Sequence, residues 1–296
     1  MPPPPAIEVV VAHRNNVEAL TRLLKALREQ TLPCAVCVVD DASTDETPDV
    51  IPLTFPEVRY ERLERNVGFS RANNHGVRSS SADWVVLLNN DAEPEPGMLA
   101  ALQAAAARHP RAGVLAGKLL YPDGRVQWAG QRVALLTGYS GRPRGHGRDD
   151  GFASSVEGRT DRAVGALMAV SRAAIDTAGL LDEDLFAYVE DVDWSLRIRA
   201  AGFECVFVPT ARAVHRVSAS TGGAASTHTV YYGVRNTIVV CERHRPLGPA
   251  GTAARRAAIL ATFLAHAGLV LRSNAAVPAG PSGRWRSQTT MVLRTP

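Results

Sequence analysis

The chain has 296 residues, of which 46% are hydrophobic and 21% are charged. This length and composition allow a substantial buried core in one large domain or two smaller ones, and they exclude a largely disordered chain. The opening MPPPPA lacks the basic stretch and apolar core of a secretory signal or transit peptide, so we interpret residues 1–6 as a flexible leader.

Positive charge is concentrated at the C-terminal end, where residues 235–296 contain nine Arg, no Lys and one acid, although the whole chain carries only +4. The apolar run 257–271 has 15 residues, fewer than the roughly 20 that a membrane-spanning helix needs. Two interpretations stay open: a solvated helix packed on the domain, or peripheral contact with an anionic inner membrane face. Nucleic-acid binding is not expected, because this basic region lacks interleaved aromatic residues and the rest of the chain is acidic.

Four cysteines include one Cys-x-x-Cys pair, Cys34 and Cys37. A zinc site would need a second pair, and a redox motif would normally open a helix, whereas this pair leads into the apolar run VCVVDD. We therefore predict buried structural cysteines in a cytoplasmic protein.

Apolar runs alternate with helical spacing along the first hundred residues. In the segment 16–30, for example, Val17, Leu20 and Leu24 fall on one face of a helix. Strands with unbroken apolar runs, separated by helices, indicate a parallel sheet that is covered on both faces. The predicted elements are strands at 7–12, 35–41, 57–63 and 83–91, with helices at 16–30 and 69–80.

Three of these strands change from apolar to polar at their carboxyl ends, in VVVAHRNN, CVVDDASTD and WVVLLNND. Ligands of such sheets bind beyond the carboxyl ends of the strands, so the three polar segments are expected to converge. No G-x-G-x-x-G follows the first strand, and there is no G-x-x-x-x-G-K-[ST]. A phosphate at this edge would therefore have to be bound without a glycine-rich loop. A divalent cation held by carboxylates is the usual alternative.

Four motifs resemble family 2 glycosyltransferases, and most closely their bacterial rhamnosyltransferase-like branch. They are VVDDASTDET (38–47), RNVGFSRANNHG (65–76), LLNNDAEPEPGML (87–99) and FAYVEDVDWSLRIRAAGF (186–203), and they occur in the order found in that family. The resemblance covers about residues 7–245.

The resemblance implies an α/β protein of the GT-A fold, in which helices flank a mostly parallel central sheet and a helical extension follows at the C-terminus. It places a catalytic domain at 7–220, with a nucleotide-sugar half at about 7–120 and an acceptor half at about 121–220. Residues 221–296 would then form the basic helical extension.

On the donor side, the resemblance assigns Asp41 to the nucleotide base, since a carboxylate can accept the N–H of a pyrimidine. Gly68 would let the backbone approach the nucleotide closely. Taken alone, the motif around Asp41 is also compatible with a simple strand-to-helix connection. Further nucleotide-sugar contacts are expected from Ala12, His13, Arg14, Asn66, Asn74, Asn89 and Asn90.

Asp91 corresponds to the last aspartate of the family's Asp-x-Asp element, which binds Mg²⁺ or Mn²⁺ on the donor diphosphate. Asn89 replaces the usual first carboxylate and is expected to contact the ribose directly or through water. An alternative interpretation of Asn90 is that it only starts a turn. Several relatives have a histidine as a further metal ligand, and His215 takes that place here. The serines at 218 and 220 resemble a loop that orders over the donor.

In the last motif, the resemblance assigns Asp191 as the general base that takes a proton from the acceptor hydroxyl. Glu190 would tune the pKa of this group, and Asp193 and Trp194 are assigned to the acceptor. Without the resemblance, these acids could equally cap a helix or pair with nearby arginines, and Trp194 could belong to the core.

The implied activity is transfer of a sugar, with inversion, from a UDP- or dTDP-sugar such as dTDP-rhamnose. The acceptor would be a hydroxyl on a saccharide, a lipid-linked saccharide or a natural product, in cell-wall, polysaccharide or natural-product biosynthesis. The alternatives are a sugar nucleotidyltransferase or a non-catalytic nucleotide-sugar-binding subunit. The sequence leaves the oligomeric state open.

Overall fold

The computed structural model describes residues 6–137, 139–140, 143–151, 154–216 and 227–275. Most of the predicted leader and the serines at 218 and 220 lie outside these ranges. The strands are β1 Ile7–His13, β2 Ala35–Asp40, β3 Arg59–Arg62, β4 Trp84–Leu88, β5 Ala92–Pro94, β6 Ala112–Leu120, β7 Val126–Trp128, β8 Val133–Ala134, β9 Tyr139–Ser140, β10 Gly158–Arg159, β11 Leu167–Ser171 and β12 Glu204–His215. The helices are α1 Val17–Arg28, α2 Thr47–Thr54, α3 Phe69–Ser79, α4 Met98–Arg108, α5 Arg172–Ala178, α6 Glu190–Ala200, α7 Thr227–His244 and α8 Pro249–Ala275.

The main sheet has the strand order β10-β12-β6-β11-β4-β1-β2-β3, with β5 added beside β12 and β7 beside β6. Strands β1, β2, β3, β4, β6 and β12 run in one direction, and β11 runs against its neighbours β4 and β6. The sheet is therefore mixed but mostly parallel, with helices packed against it, as predicted. The six elements predicted in the first hundred residues are all present within a few residues of their expected ends.

The core lies on both faces of this sheet. Every residue of β4 and of β6 is buried, as expected for central strands covered on both sides. The helix α1 adds a stripe of buried residues that includes Leu20, Leu23 and Leu24. No disulfide forms among the four cysteines, and Cys37, Cys205 and Cys241 are buried, in agreement with the predicted structural role.

The first strand-to-helix turn is fixed by side-chain caps. Asn16 lies in the left-handed region at φ 68°, and its side-chain oxygen accepts from the N–H of Ala19. The next orphan donor, the N–H of Val17, is bound by a carboxylate oxygen of Asp45. These two caps satisfy N–H groups that the helix itself cannot pair, so the loop between β1 and α1 is held against the loop after β2.

The helices α7 and α8 follow the sheet and form the predicted C-terminal helical extension. A small apolar cluster joins α7 to the rest of the molecule, since Val240 packs with Leu185, Val192 and Leu196. Within the described residues, none of the helices combines the length and apolar character that a membrane crossing requires. The exact division of the chain at residue 220 stays a prediction.

Candidate active site

The polar ends of β1, β2 and β4 do converge. His13, the last residue of β1, lies opposite Asp40 of β2, and its carbonyl accepts from the N–H of Asp41 at 2.7 Å. The strand β4 pairs with the other side of β1 and ends at Leu88, immediately before Asn89. Three parallel strands therefore deliver their following residues to one edge, where a ligand of this fold class binds.

His13 is 1% exposed and holds the edge together from inside. Its Nδ1 lies 2.9 Å from Nδ2 of Asn90, and its Nε2 lies 3.0 Å from the hydroxyl of Thr47. Burial lowers the pKa of His13 to about 4, against the opposing effects of Asp40 and Asp45, so the ring is neutral near pH 7. Since Nδ1 accepts from Asn90, Nε2 donates to Thr47, and the ring has no nitrogen left for the predicted nucleotide contact.

Asp41 binds the loop that carries the second motif. Its two carboxylate oxygens accept from the N–H groups of Val67 at 2.6 Å and Gly68 at 3.0 Å. Burial raises the pKa of Asp41, and these two amide donors partly offset that effect. A carboxylate has about four lone-pair sites, so two remain for a ligand such as a base N–H. The Arg14 guanidinium donates to the carbonyl of Asp41 at 3.2 Å.

Gly68 is required by its conformation and by a close neighbour. Its φ is +88°, and a Cβ added there would come 2.5 Å from the ring of Phe186. The exposed Asn66 folds back so that its side-chain oxygen accepts from the N–H of Gly68 at 3.1 Å. Phe186, which the sequence did not single out, therefore covers the loop that carries Gly68.

Asn74 does not face the ligand edge. It is fully buried, and its amide donates to the carbonyl of Leu181 at 2.9 Å and accepts from the N–H of Leu181 at 3.0 Å. A second donor contact reaches Glu183 at 3.0 Å. Asn74 therefore holds the segment before α6, and these contacts use the side chain that was predicted to contact the nucleotide. Ala12 is half-buried inside β1 and offers only its backbone and methyl group.

A second polar cluster forms where β4 and β12 end. Nε2 of His215 lies 3.0 Å from Oδ1 of Asp91 and 3.4 Å from the side-chain nitrogen of Asn89. Its Nδ1 lies 2.7 Å from the amide oxygen of Gln127, which can only accept. Nδ1 therefore carries a proton, and Nε2 faces Asp91.

This donor set fits a divalent cation of the Mg²⁺ or Mn²⁺ kind. One carboxylate oxygen and one imidazole nitrogen meet, and the second ring nitrogen is oriented by Gln127, as ligating histidines usually are. Within the described ranges, no group of three or more His, Cys, Asp or Glu residues is arranged to hold a metal. Asp91 and His215 are the pair that meets at this point among the described residues, and Mg²⁺ commonly completes such a pair with phosphate oxygens and water.

Asp191 lies in the first turn of α6, where it is held by two donors. Its Oδ2 accepts from the N–H of Gly165 at 3.0 Å, and its Oδ1 lies 3.4 Å from Nη1 of Arg162. The turn before it is strained, because the three non-glycine residues Phe186, Tyr188 and Val189 all have positive φ. Neighbouring elements must therefore hold this turn, and hydrogen bonds from Asn236 of α7 do so.

Glu190 precedes Asp191 and differs from it in its surroundings. Its Oε2 is buried and has no hydrogen-bond partner among the described residues. Burial, with a further contribution from the adjacent charge of Asp191, raises the pKa of Glu190 to about 8. At neutral pH, Glu190 therefore stays largely protonated, which spares a second charge beside Asp191.

Asp193 and Trp194 take structural positions in place of the predicted acceptor contacts. Asp193 is fully buried and binds Arg197 at 2.7 Å, Arg243 at 2.9 Å and His244 at 2.8 Å. Burial alone would raise its pKa, but these hydrogen bonds bring the pKa of Asp193 down to about 2. Trp194 is also fully buried and donates from its indole N–H to the carbonyl of Gly179 at 2.7 Å.

Three residues of the site escaped the sequence interpretation. Gln127 orients His215, Arg162 contacts Asp191, and Asn236 donates to the carbonyls of Leu185, Ala187 and Tyr188 at 2.7, 2.8 and 2.8 Å. Only Asn236 had a local signal, since YYGVRN places two aromatic residues and an Arg-Asn pair inside a helix. Gln127 and Arg162 act across the fold and carry no motif.

Comparison with known proteins assigns the family. The family model described as Glycosyl transferase family 2 matches residues 8–175. An N-acetylglucosaminyl-diphospho-decaprenol L-rhamnosyltransferase of Mycobacterium tuberculosis is 31% identical over 261 residues, which cover 81% of this chain and 84% of that protein. The chain therefore belongs to glycosyltransferase family 2, as its four motifs predicted, and it is similar to rhamnosyltransferases within that family.

Two solved structures share the fold. GalNAc-T7 with UDP, GalNAc and Mn²⁺ superposes with a TM-score of 0.65 at 17% identity, covering 94% of this chain and 59% of its own. The mannosyltransferase PcManGT from Pyrobaculum calidifontis, in complex with GDP-Man and Mn²⁺, gives a TM-score of 0.57 at 21% identity, covering 92% and 80%. The predicted GT-A fold is confirmed, and the protein is a glycosyltransferase that uses a nucleotide-sugar.

Proposed function

We propose that this protein transfers a sugar with inversion from a UDP- or dTDP-sugar to an acceptor hydroxyl, with dTDP-rhamnose as the first candidate donor. The observation that carries this proposal is the position of Asp191. Its carboxylate is held by Gly165, and the next residue, Ala166, accepts from the N–H of Asn89 at the donor edge. A base at this position lies beside the strand end that is expected to receive the donor diphosphate.

In the proposed reaction, Asp191 accepts the proton of the acceptor hydroxyl as that oxygen attacks the anomeric carbon. Gly165 and Arg162 aim the carboxylate by holding one oxygen each. Glu190, largely neutral at pH 7, adds no competing negative charge. The oxygen attacks from the face opposite the leaving diphosphate, so the configuration inverts and no covalent enzyme intermediate is needed.

A divalent cation is part of the proposal, with Asp91 and His215 as its protein ligands. When bound, such a cation neutralises the charge that develops on the departing diphosphate. Gln127 holds the His215 ring in the required tautomer, and Asn89 offers an amide beside the same point. The presence of Mn²⁺ in both structural neighbours supports this part of the proposal.

For the acceptor, we favour a saccharide attached to a lipid diphosphate over a natural product. The support is the 31% identity to the rhamnosyltransferase that acts on N-acetylglucosaminyl-diphospho-decaprenol. The helix α8 also exposes Leu260 and Leu264, and the sequence from 235 to 296 contains nine arginines. Exposed apolar side chains with nearby cations suit peripheral contact with an anionic membrane surface, which would bring the protein to such an acceptor.

The test is a mass-spectrometric screen for hydrolysis and transfer with UDP-, dTDP- and GDP-sugars, in the presence of Mg²⁺, Mn²⁺ or a chelator. The proposal predicts turnover of at least one UDP- or dTDP-sugar that depends on the metal. If all nucleotide sugars stay intact and none protects the protein thermally, the proposed reaction is wrong. Activity that persists in the presence of the chelator would refute the metal requirement and leave the rest of the proposal intact.

A further inference from the structure

A cleft lies next to the loop that carries Gly68. It has a volume of about 510 Å³ and lies between the loop 65–67, the segment 183–186 and the first half of α7. None of the sequence motifs assigned a role to α7, and the proposed reaction uses no side chain of this cleft. Its aromatic wall consists of Phe186, Tyr231 and Tyr232, and its lining also includes Arg65, Arg71 and Arg235.

The aromatic wall is a stack that ends at an exposed ring. Phe186 and Tyr232 stack with their centroids 5.2 Å apart and their planes at 22°. Tyr231 meets Tyr232 edge to face at 5.1 Å and is 59% exposed. A large aromatic residue left this open inside a cleft offers an apolar face with a polar tip, which suits one face of a sugar ring.

The arginines of the lining supply guanidinium groups that the described residues do not fully use. Arg65 has no ion-pair or hydrogen-bond partner in the part of the chain that the structure describes. Arg235 uses one of its nitrogens, Nη1, on the carbonyl of Asp184 and the side chain of Asn236, at 3.0 and 2.7 Å. The planar fork of Arg matches phosphate oxygens, so Arg65 and Arg235 form a pair of phosphate-binding groups.

The two acidic residues of the cleft, Glu183 and Asp184, differ in how far their negative charge is already compensated. Glu183 is shared by Arg71 at 3.3 Å and Arg78 at 2.7 Å, so its charge is already compensated. The carboxylate of Asp184 also lines the cleft, beside the exposed amide of Asn66. Both groups accept or exchange hydrogen bonds with hydroxyls, which a sugar provides.

The cleft is also placed correctly for the acceptor. Phe186, part of its aromatic wall, covers Gly68 of the nucleotide loop. The same residue starts the strained turn that leads into Asp191, five residues later. A ligand in the cleft would therefore lie between the donor loop and the proposed base.

We propose that this cleft binds the acceptor as a saccharide carrying a phosphate or diphosphate, with the sugar against Tyr231 and the phosphate on Arg65 and Arg235. The assignment as acceptor rests on the proposed function, whereas the binding itself does not. The ligand chemistry is shared by a free sugar phosphate and a lipid-linked sugar diphosphate, and the probes below separate these sources.

The test is isothermal titration calorimetry of the full chain with three probes: N-acetylglucosamine, N-acetylglucosamine 1-phosphate and N-acetylglucosaminyl diphosphate on a farnesyl chain. We expect the phosphorylated probes to bind at least about tenfold more tightly than the plain sugar, as a charge-assisted contact predicts. Tighter binding of the farnesyl probe identifies a lipid-linked ligand, and equal binding of the two phosphorylated probes identifies the sugar phosphate itself.

Two exposed residues supply the variants. Arg65→Ala should weaken the phosphorylated probes about tenfold, and Tyr231→Ala should weaken all three probes, while dTDP and UDP affinities stay unchanged. The matched control is Arg111→Ala, whose side chain is 74% exposed on another part of the surface and should change nothing. Equal binding of sugar and sugar phosphate, or an equal loss of nucleotide affinity in Arg65→Ala, overturns the inference. If the phosphorylated probes bind but no sugar is transferred, the proposed function is wrong and the proposed binding site still stands.

Discussion

Asp191 and Asn89 are held by two consecutive residues of one backbone segment. The N–H of Gly165 donates to Asp191 at 3.0 Å, and the carbonyl of Ala166 accepts from the N–H of Asn89 at 3.3 Å. The strand β11 begins at the next residue and pairs antiparallel with β4. The turn that leads directly into β11 therefore links the proposed base to the donor edge.

The first prediction concerns the orientation of His215. Gln127→Ala removes the acceptor that fixes its tautomer, so we expect the Mn²⁺ concentration for half-maximal activity to rise about 10- to 100-fold. His215→Ala should raise it at least as much. Metal titrations of the transfer rate measure both effects. His109→Ala is the control, because His109 lies at the end of α4 and pairs with the partly exposed Glu157. An unchanged metal requirement in both variants would contradict this ligand assignment.

The second prediction separates a clash from backbone strain at Gly68. Gly68→Ala and Gly124→Ala both place a side chain at positive φ, +88° and +83°, but only the first drives a Cβ into Phe186. We expect Gly68→Ala to cost about 1–3 kcal/mol more in free energy of unfolding, because overpacking adds to the strain. Chemical denaturation of the two variants gives the difference. Equal losses would show that the Phe186 ring moves aside freely.

The third prediction concerns the fully buried Asp193. Asp193→Asn leaves the cation of Arg197 without its carboxylate and leaves Arg243 with Asp182 alone, so we expect a loss of about 3 kcal/mol in free energy of unfolding at pH 7. Asp176→Asn, on the exposed face of α5, should be neutral. An equal loss of stability in Asp193→Asn and Asp176→Asn would contradict a special stabilising role for the buried Asp193.

The same residue makes stability depend on pH in a defined window. The pKa of Asp193 is about 2 in the folded state and 3.8 in its ordinary state, so the unfolded chain binds the proton more readily. The stabilisation is therefore complete above about pH 4 and is lost as the pH falls towards 2. Denaturation curves at several acidic pH values should show a smaller decline in Asp193→Asn than in the unmodified protein.

The fourth prediction assigns Asn236 a positioning role. Its side-chain nitrogen shares two N–H donors among three carbonyls of the strained turn before α6, so Asn236→Ala should cost about 2 kcal/mol in stability, at roughly 1 kcal/mol per N–H. The displaced turn carries Asp191, so kcat should fall while the KM for the donor stays within error. Asn73→Ala, which loses one bond to Phe69, is the control. Loss of stability without loss of kcat would leave Asn236 purely structural.

The sequence was sufficient for the elements whose pattern is local. The apolar run of β4 and the helical spacing of α1 are visible within a dozen residues, and both elements form where predicted. The insertion of β11 between β4 and β6 could not be predicted, because an antiparallel strand in that place depends on pairing across 80 residues. Four motifs were enough to assign the family.

The roles of individual polar residues were harder to predict from the sequence. Asp193 looked like a site residue, but its partners Arg243 and His244 come from α7, about fifty residues later. His13 likewise lies at the predicted edge yet turns both ring nitrogens inward, to Asn90 and Thr47. Whether a polar residue contacts a ligand or makes a structural bond depends on its burial and on partners distant in sequence. A short motif shows neither.

The most direct test of the central claim is sugar transfer by Asp191→Asn. The amide keeps the shape of the side chain and the contact with Gly165 but cannot accept the acceptor proton. We predict that kcat falls at least about 100-fold, the usual contribution of a general base, while the affinity for the nucleotide is unchanged. Mass spectrometry of the transfer product and calorimetry with UDP and dTDP provide the two readings. Retained transfer in Asp191→Asn would contradict the assignment of Asp191 as the base.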